Sequence, residues 1–169
     1  MAAEEDAFDP YALFEALERH RVAYIVVGAL GRVLHGSDEI TDGIDVVPSM
    51  HEENVRRLGL ALDDLNAHHR DGKPALVERD LVGRPTLELE TDAGELKIVP
   101  EPAGTRGYDD LRRRARRQPL GRGLWPSVAS VDDHARMLAV LGREQDRQPL
   151  QTMQRVIELG HGISRGIER

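Results

Sequence analysis

Charged and apolar residues alternate along two short stretches of this chain, and the spacing decides what the charged groups could do together. In Thr86-Leu87-Glu88-Leu89-Glu90 and Glu95-Leu96-Lys97-Ile98-Val99 a polar residue recurs at every second position. Residues i and i+2 of a strand share a face, so Glu88 and Glu90 stand together, as do Glu95 and Lys97. Thr91-Asp92-Ala93-Gly94 between them reads as a four-residue turn. The simplest hairpin pairing then sets Glu90 opposite Glu95 and Glu88 opposite Lys97. A cross-strand ion pair between Glu88 and Lys97 would be worth about 0.2–1 kcal/mol. One more carboxylate, Asp45, sits inside the apolar stretch Gly43-Ile44-Asp45-Val46-Val47 and is expected on the same face.

A second concentration of charge is basic. Seven arginines lie between Arg106 and Arg122. On a helix, Arg112, Arg113, Arg116 and Arg117 form one stripe, with Leu111 and Ala115 turned inward. Such a stripe could contact RNA or phosphate, meet an acidic protein partner, or simply face solvent. His35 and the pair His68-His69 do not sit with other ligands at metal spacing and read as surface or packing residues. Trp125, in Leu124-Trp125-Pro126, reads as core rather than as a platform for base stacking. Arg143 and Asp146 are expected to tie the last two helices together.

The elements that must position these groups follow from capping and periodicity. Asp9 can cap a helix whose first residue is Pro10, with Leu13, Phe14 and Leu17 on its apolar face. Residues 23–27 read as a buried strand ending at Gly28, 29–35 as a short helix ended by Gly36, and 37–42 as a polar loop. A strand at 43–47 stops at Pro48. Ser49 and Glu52 have capping-box spacing for a helix over about 50–65, whereas 68–85 reads as loop. After the hairpin come an arginine-rich helix at 108–117, a helix from Ser130 to about Leu141, and a last helix at about 146–159. Strands early and helices late imply an α+β domain with a mixed sheet.

Length and composition bound the rest. At 169 residues the chain is expected to be one domain, with an α/β core at 8–105, a helical part at 106–160 and a tail at 161–169. No cysteine is present, which excludes disulfides and thiolate metal sites and suits a reducing cytosol. No stretch approaches the length of a membrane span, and the acidic residues 1–6 do not read as a signal peptide. A net charge of −7 disfavours non-specific nucleic-acid binding except through a local basic face.

Three pieces stand in a telling order: strand–Gly28–short helix–Gly36-Ser37, then Thr41-Asp42-Gly43-Ile44-Asp45 entering a strand, then Gly94-Glu95-Leu96-Lys97 in a hairpin. With Gly104-Thr105-Arg106-Gly107-Tyr108-Asp109-Asp110-Leu111, Ser130-Val131-Asp132-Asp133 and Gly142-Arg143-Glu144-Gln145-Asp146, the order resembles the nucleotidyltransferase superfamily. The likeness is to the minimal and AbiEii-type proteins of toxin–antitoxin pairs, over about 23–159. It implies a mixed sheet flanked by helices, an NTP attacked at its α-phosphate, and two magnesium ions held by three carboxylates. It places Gly28, Ala29, Gly36, Ser37, Thr41 and Lys97 on the nucleotide side.

Against that pattern two carboxylates are replaced. The first aspartate of the Asp-x-Asp pair falls on Gly43 and the third carboxylate on Lys97, leaving Asp45. Asp42 or Glu95 could supply a substitute, although a one-residue slip turns Asp42 to the other face. Magnesium is implied only if the site is rebuilt in that way. Lys97 could instead take the place of a metal beside Asp45 and Glu88, or simply pair with Glu88. Asp45 is a catalytic ligand or a salt-bridged remnant, and Gly28 a phosphate turn or a strand end. The reading is a degenerate nucleotidyltransferase-like protein, in the cytoplasm, that binds a nucleotide or a partner. The alternatives are an active enzyme moving a nucleoside monophosphate onto RNA or protein, and an interaction module acting through the arginine stripe.

Overall fold

The computed structural model describes residues 8–167, so the acidic stretch at 1–6 lies outside the described residues. The first helix is built as its signals require. Asp9 accepts a hydrogen bond from the Ala12 N–H at 3.2 Å, Pro10 is its first residue, and α1 (Pro10–Arg19) buries Leu13, Phe14 and Leu17. Then come β1 (Tyr24–Val27), α2 (Gly28–Leu34), β2 (Gly43–Pro48), α3 (Glu52–Asp64), a single turn α4 (Val77–Asp80), and the hairpin β3 (Leu87–Thr91) and β4 (Gly94–Ile98). The C-terminal part holds α5 (Tyr108–Leu111), β5 (Arg116–Arg117), β6 (Ser127–Val128), α6 (Val131–Leu141) and α7 (Arg147–Ile167).

Six strands form one mixed sheet in the order β3-β4-β2-β1-β6-β5. β2 runs parallel to β4 and β1 parallel to β6, while β1–β2, β3–β4 and β5–β6 are antiparallel. Alternation of side chains separates two cores. Tyr24, Val26, Ile44, Val46, Leu96 and Ile98 meet α1 and α3 in the larger one. Ile25, Val27 and Val47 meet Leu111, Ala129 and Met137 in the smaller. The mixed α+β architecture expected from the element order is what is observed. Among the described residues no helix is long and apolar enough to cross a membrane.

Several local expectations are corrected. The capping box of Ser49 and Glu52 does not form: α3 starts at Glu52 after His51, and no side chain caps it. The buried side chain of Asn54 does the anchoring instead, accepting from the Ala23 N–H at 2.7 Å and donating to the carbonyls of Ala23 and Ser49. Residues 68–85 are not loop throughout. His68 pairs with Glu90 alongside β3, and Ala75, Val77 and Leu81 drop into the main core. The glycines and prolines of that stretch mask its apolar spacing. The segment read as a tail starts inside α7, which continues past Gly160 to Ile167, and residues 168 and 169 lie outside the described set.

The largest correction concerns the arginines. The helix expected at 108–117 ends at Leu111, and Arg116 and Arg117 belong to an edge strand. The ladder with β6 continues through Gln118 N–H to Pro126 O and Leu120 N–H to Leu124 O, both 3.0 Å. Arg122 and Gly123, both at positive φ, make the tight turn at its tip. The stripe of Arg112, Arg113, Arg116 and Arg117 on one helix face therefore does not exist. Helix propensity yields here to the backbone bonds that β6 needs beside β1. Trp125, expected in the core, is 54% exposed.

Candidate functional site

The parallel register of β2 and β4 pairs Gly43 with Glu95 and Asp45 with Lys97. The hairpin register adds Glu90 opposite Glu95 and Glu88 opposite Lys97, as expected from the turn. Two transverse rows result across three strands, Glu88–Lys97–Asp45 and Glu90–Glu95–Gly43. They floor a cleft of about 280 Å³ that is also lined by Ala29, Ile40, Thr41, Asp42 and Arg70.

Lys97 points its ammonium at Glu88, 3.7 Å away, and Arg70 approaches the other Glu88 oxygen at 3.5 Å. The ion-pair role expected of Lys97 is therefore formed. Arg70 was not foreseen as a site residue. No local signal marks it, because it reaches the cleft only through the packing of 68–74 against β3. The Asp45 carboxylate makes no hydrogen bond and no ion pair among the described residues, which corrects its reading as a salt-bridged remnant. Burial pushes its carboxyl above the usual range; Lys97 and Arg32 pull it down, and Glu88 and Glu95 push it further up.

Gly28 opens α2 at φ +71°, and a Cβ there would come 2.8 Å from the Asp45 Cγ and collide with its carboxylate oxygen. Only glycine lets the start of α2 lie against Asp45. Gly28 itself is not part of the cleft wall, whereas Ala29 is. Gly36 and Ser37 are not in the wall either. The Ser37 hydroxyl donates to Glu39 at 2.8 Å, and Glu39 receives two hydrogen bonds of 2.7 Å from Arg32. Their expected nucleotide-side role is not matched by position: they brace the loop after α2. Thr41 lines the cleft, but its hydroxyl donates to the Gly43 carbonyl at 2.7 Å and so serves the turn.

A pair of magnesium ions needs several converging carboxylates. Among the described residues no group of three or more His, Asp or Glu is placed to hold a metal. At Gly43 a Cβ would lie 2.6 Å from the Glu95 carbonyl oxygen and 2.8 Å from its Cβ, so no side chain fits there. At the third position stands the Lys97 ammonium. These residues do not fit the two-ion arrangement. The cleft is nevertheless acidic: Asp42, Asp45, Glu88, Glu90 and Glu95 outnumber Arg70 and Lys97.

The chain matches no family model and no curated protein. Solved structures do match. The Thermotoga maritima protein TM1012, provisionally described as a nucleotidyltransferase, aligns over 85% of this chain and 88% of its own, with TM-score 0.54 and 16% identity. The lincosamide antibiotic adenylyltransferase LnuA, in its lincomycin-bound form, aligns over 89% and 99%, with TM-score 0.57 and 15% identity. The fold is that of the nucleotidyltransferases. At such identity the shared property is the nucleotidyltransferase fold, not the chemistry.

A second polar cluster, on the other side of β1, was not flagged by the sequence. Asp133 is fully buried and accepts from Arg114 at 2.5 Å, while Arg136 lies in ion-pair contact with it at 3.1 Å and donates to Asp110 at 3.2 Å. Arg143 and Asp146 pair at 2.8 Å within the connection between α6 and α7, as expected of them. Next to Asp133, His134 is buried against Gly31 and stacks edge-on with His35 at 5.6 Å. His35 holds the Ala129 carbonyl at 2.7 Å, so it is a packing residue as expected.

Burial, with His35 and Arg32 nearby, pushes the His134 imidazole down from 6.5 to about 3. The unfolded chain therefore takes up this proton first. The stability tied to the neutral ring is fully present above about pH 6.5 and is lost as pH falls toward 3. The expected slope is on the order of 1 kcal/mol per pH unit. Urea melts between pH 6.5 and 5, above the range where carboxylates titrate, check this: His134→Leu should flatten the slope, and an unchanged slope would refute it.

Proposed function

We propose that this chain is a nucleotidyltransferase-fold protein that binds a nucleotide in its cleft without transferring it. One observation supports this most: of the three positions where the chemistry needs carboxylates, one has no room for a side chain and one carries an ammonium. Asp45 alone offers too few oxygens to hold two ions. Lys97 and Arg70 are the groups that would meet a phosphate, in competition with Glu88. A cytoplasmic setting beside a toxin–antitoxin partner belongs to the same proposal and rests on the sequence resemblance.

Electrostatics sets the expected preference. Five lining carboxylates against two cations oppose a bare triphosphate more than a monophosphate. Calorimetric titration with nucleoside mono- and triphosphates in chelator should show the monophosphate binding more tightly, and Lys97→Ala should weaken it by about tenfold. Indifference to Lys97→Ala, or a preference for the bare triphosphate, would count against the reading. Labelled NTP with RNA and protein acceptors tests the alternative. Asp45, Asp42 and Glu95 all face the cleft, so transfer that disappears in Asp45→Ala would establish an active enzyme with a rebuilt site.

A further inference from the structure

Where helix α5 ends, the chain turns through Arg112–Arg114 and enters the edge strand β5. All four arginines once expected on a helix, Arg112, Arg113, Arg116 and Arg117, are exposed at this edge. Their neighbours Arg114 and Arg122 are engaged, the first by Asp133 and the second over the Tyr11 ring at 4.2 Å. Arg112 meets Asp109 loosely at 3.7 Å, and among the described residues Arg113, Arg116 and Arg117 have no carboxylate partner. On an acidic chain this edge is a local surplus of positive charge.

An exposed indole stands beside it. Arg117 pairs with Ser127, and two residues along the same outward face of the hairpin comes Trp125. Burial alternates as that geometry requires: Leu124, Pro126 and Val128 are turned in, and Trp125 is out. Tyr11 fixes the tip of the hairpin from below, through Arg122 and through its own hydroxyl on the Leu120 carbonyl. An exposed flat aromatic on the same face of a hairpin as a guanidinium without a carboxylate partner is an arrangement that can stack an unpaired base while an adjoining phosphate is neutralised.

We propose that the β5–β6 hairpin is a docking surface for single-stranded RNA, with Trp125 stacking a base, Arg117 on the same face meeting an adjoining phosphate, and Arg116 adding positive charge from the opposite face of the edge. The surface lies on the far edge of the sheet from the β3–β4 cleft and does not depend on the reading given to that cleft. The competing account is that arginines merely keep a free sheet edge from pairing with another chain. That account predicts no ligand.

Trp125 is the only tryptophan, so its emission reports stacking directly. The probe is a fluorescein-labelled oligouridylate of roughly 12 nucleotides, titrated at low salt with anisotropy and tryptophan emission read together. Binding with quenched emission is expected. Trp125→Ala should weaken it roughly tenfold, and Arg116→Ala/Arg117→Ala roughly tenfold with a salt slope shallower by about one. Arg112→Ala/Arg113→Ala, outside the strand, gives a second reading if the strand variant loses its fold. Absence of binding overturns the proposal, as does binding that neither arginine pair nor Trp125 affects. Poly-glutamate competing as well as the RNA would overturn it in favour of an acidic protein surface.

Discussion

Gly43→Asp should destabilise this protein and add no transfer activity. Restoring an aspartate at the first position of the pair is the obvious repair when the sequence is viewed alone. In the fold the position is closed. Gly43 and Glu95 face each other across a parallel ladder, and a Cβ on Gly43 would lie 2.6 Å from a backbone oxygen and 2.8 Å from the Glu95 Cβ. Backbone atoms in the middle of a sheet cannot swing aside as a side-chain end can. The strands must part, and the new carboxylate then enters a cleft that already holds Asp42, Asp45, Glu90 and Glu95.

Overpacking of this kind costs about 1–3 kcal/mol, and like charges add to it. A loss of about 3 kcal/mol corresponds to roughly 6–12 °C in Tm for a domain of this size. Thermal melts and a labelled-NTP assay read both halves of the expectation. Gly43→Asp/Lys97→Asp should melt early as well and gain no transfer activity. Were Gly43→Asp as stable as the parent, β2 and β4 would have opened freely and the steric argument would fail.

Asp133→Ala should cost about 3 kcal/mol. Among the described residues the carboxylate is the one fully buried acid, and it holds two arginines, one from the turn before β5 and one from its own helix α6. Removing one member of a buried ionic cluster costs roughly 3–5 kcal/mol because the remaining charge loses its partner. The lower end applies here, since Arg114 and Arg136 are partly exposed and can turn to water, and Arg136 keeps Asp110. The start of α6 also loses an acid in its first turn, where the helix dipole favours one. Chemical denaturation of Asp133→Ala and Arg114→Ala checks the ranking: the arginine variant should lose clearly less, because Arg136 still satisfies the acid. Equal losses, or an unchanged midpoint for Asp133→Ala, would mean that the cluster does not hold this region together. The consequence reaches the RNA-docking edge, because Arg114 locks the turn that delivers Arg116 and Arg117.

Much was legible in the sequence where a local rule decides the outcome. Asp9 and Pro10 start α1, Ser130 caps α6 through the Asp133 N–H at 3.0 Å, and strict alternation around a turn set the hairpin register. From that register alone Glu88 had to face Lys97, and the order of motifs pointed to the nucleotidyltransferase fold. Tertiary structure decided what depends on contacts between distant segments. Arg112–Arg117 has the composition of a helix, yet its second half is claimed by β6 because unpaired backbone groups beside β1 would be costly. Trp125 is outside because its hairpin needs Leu124, Pro126 and Val128 inside, and a strand can turn only alternate residues inward. Arg70 reaches the cleft through an irregular segment that no periodicity announces. Whether Gly43 was a vacancy that an aspartate could refill, or a point of backbone contact that excludes one, was fixed by the spacing of two strands. A residue name does not carry that distance.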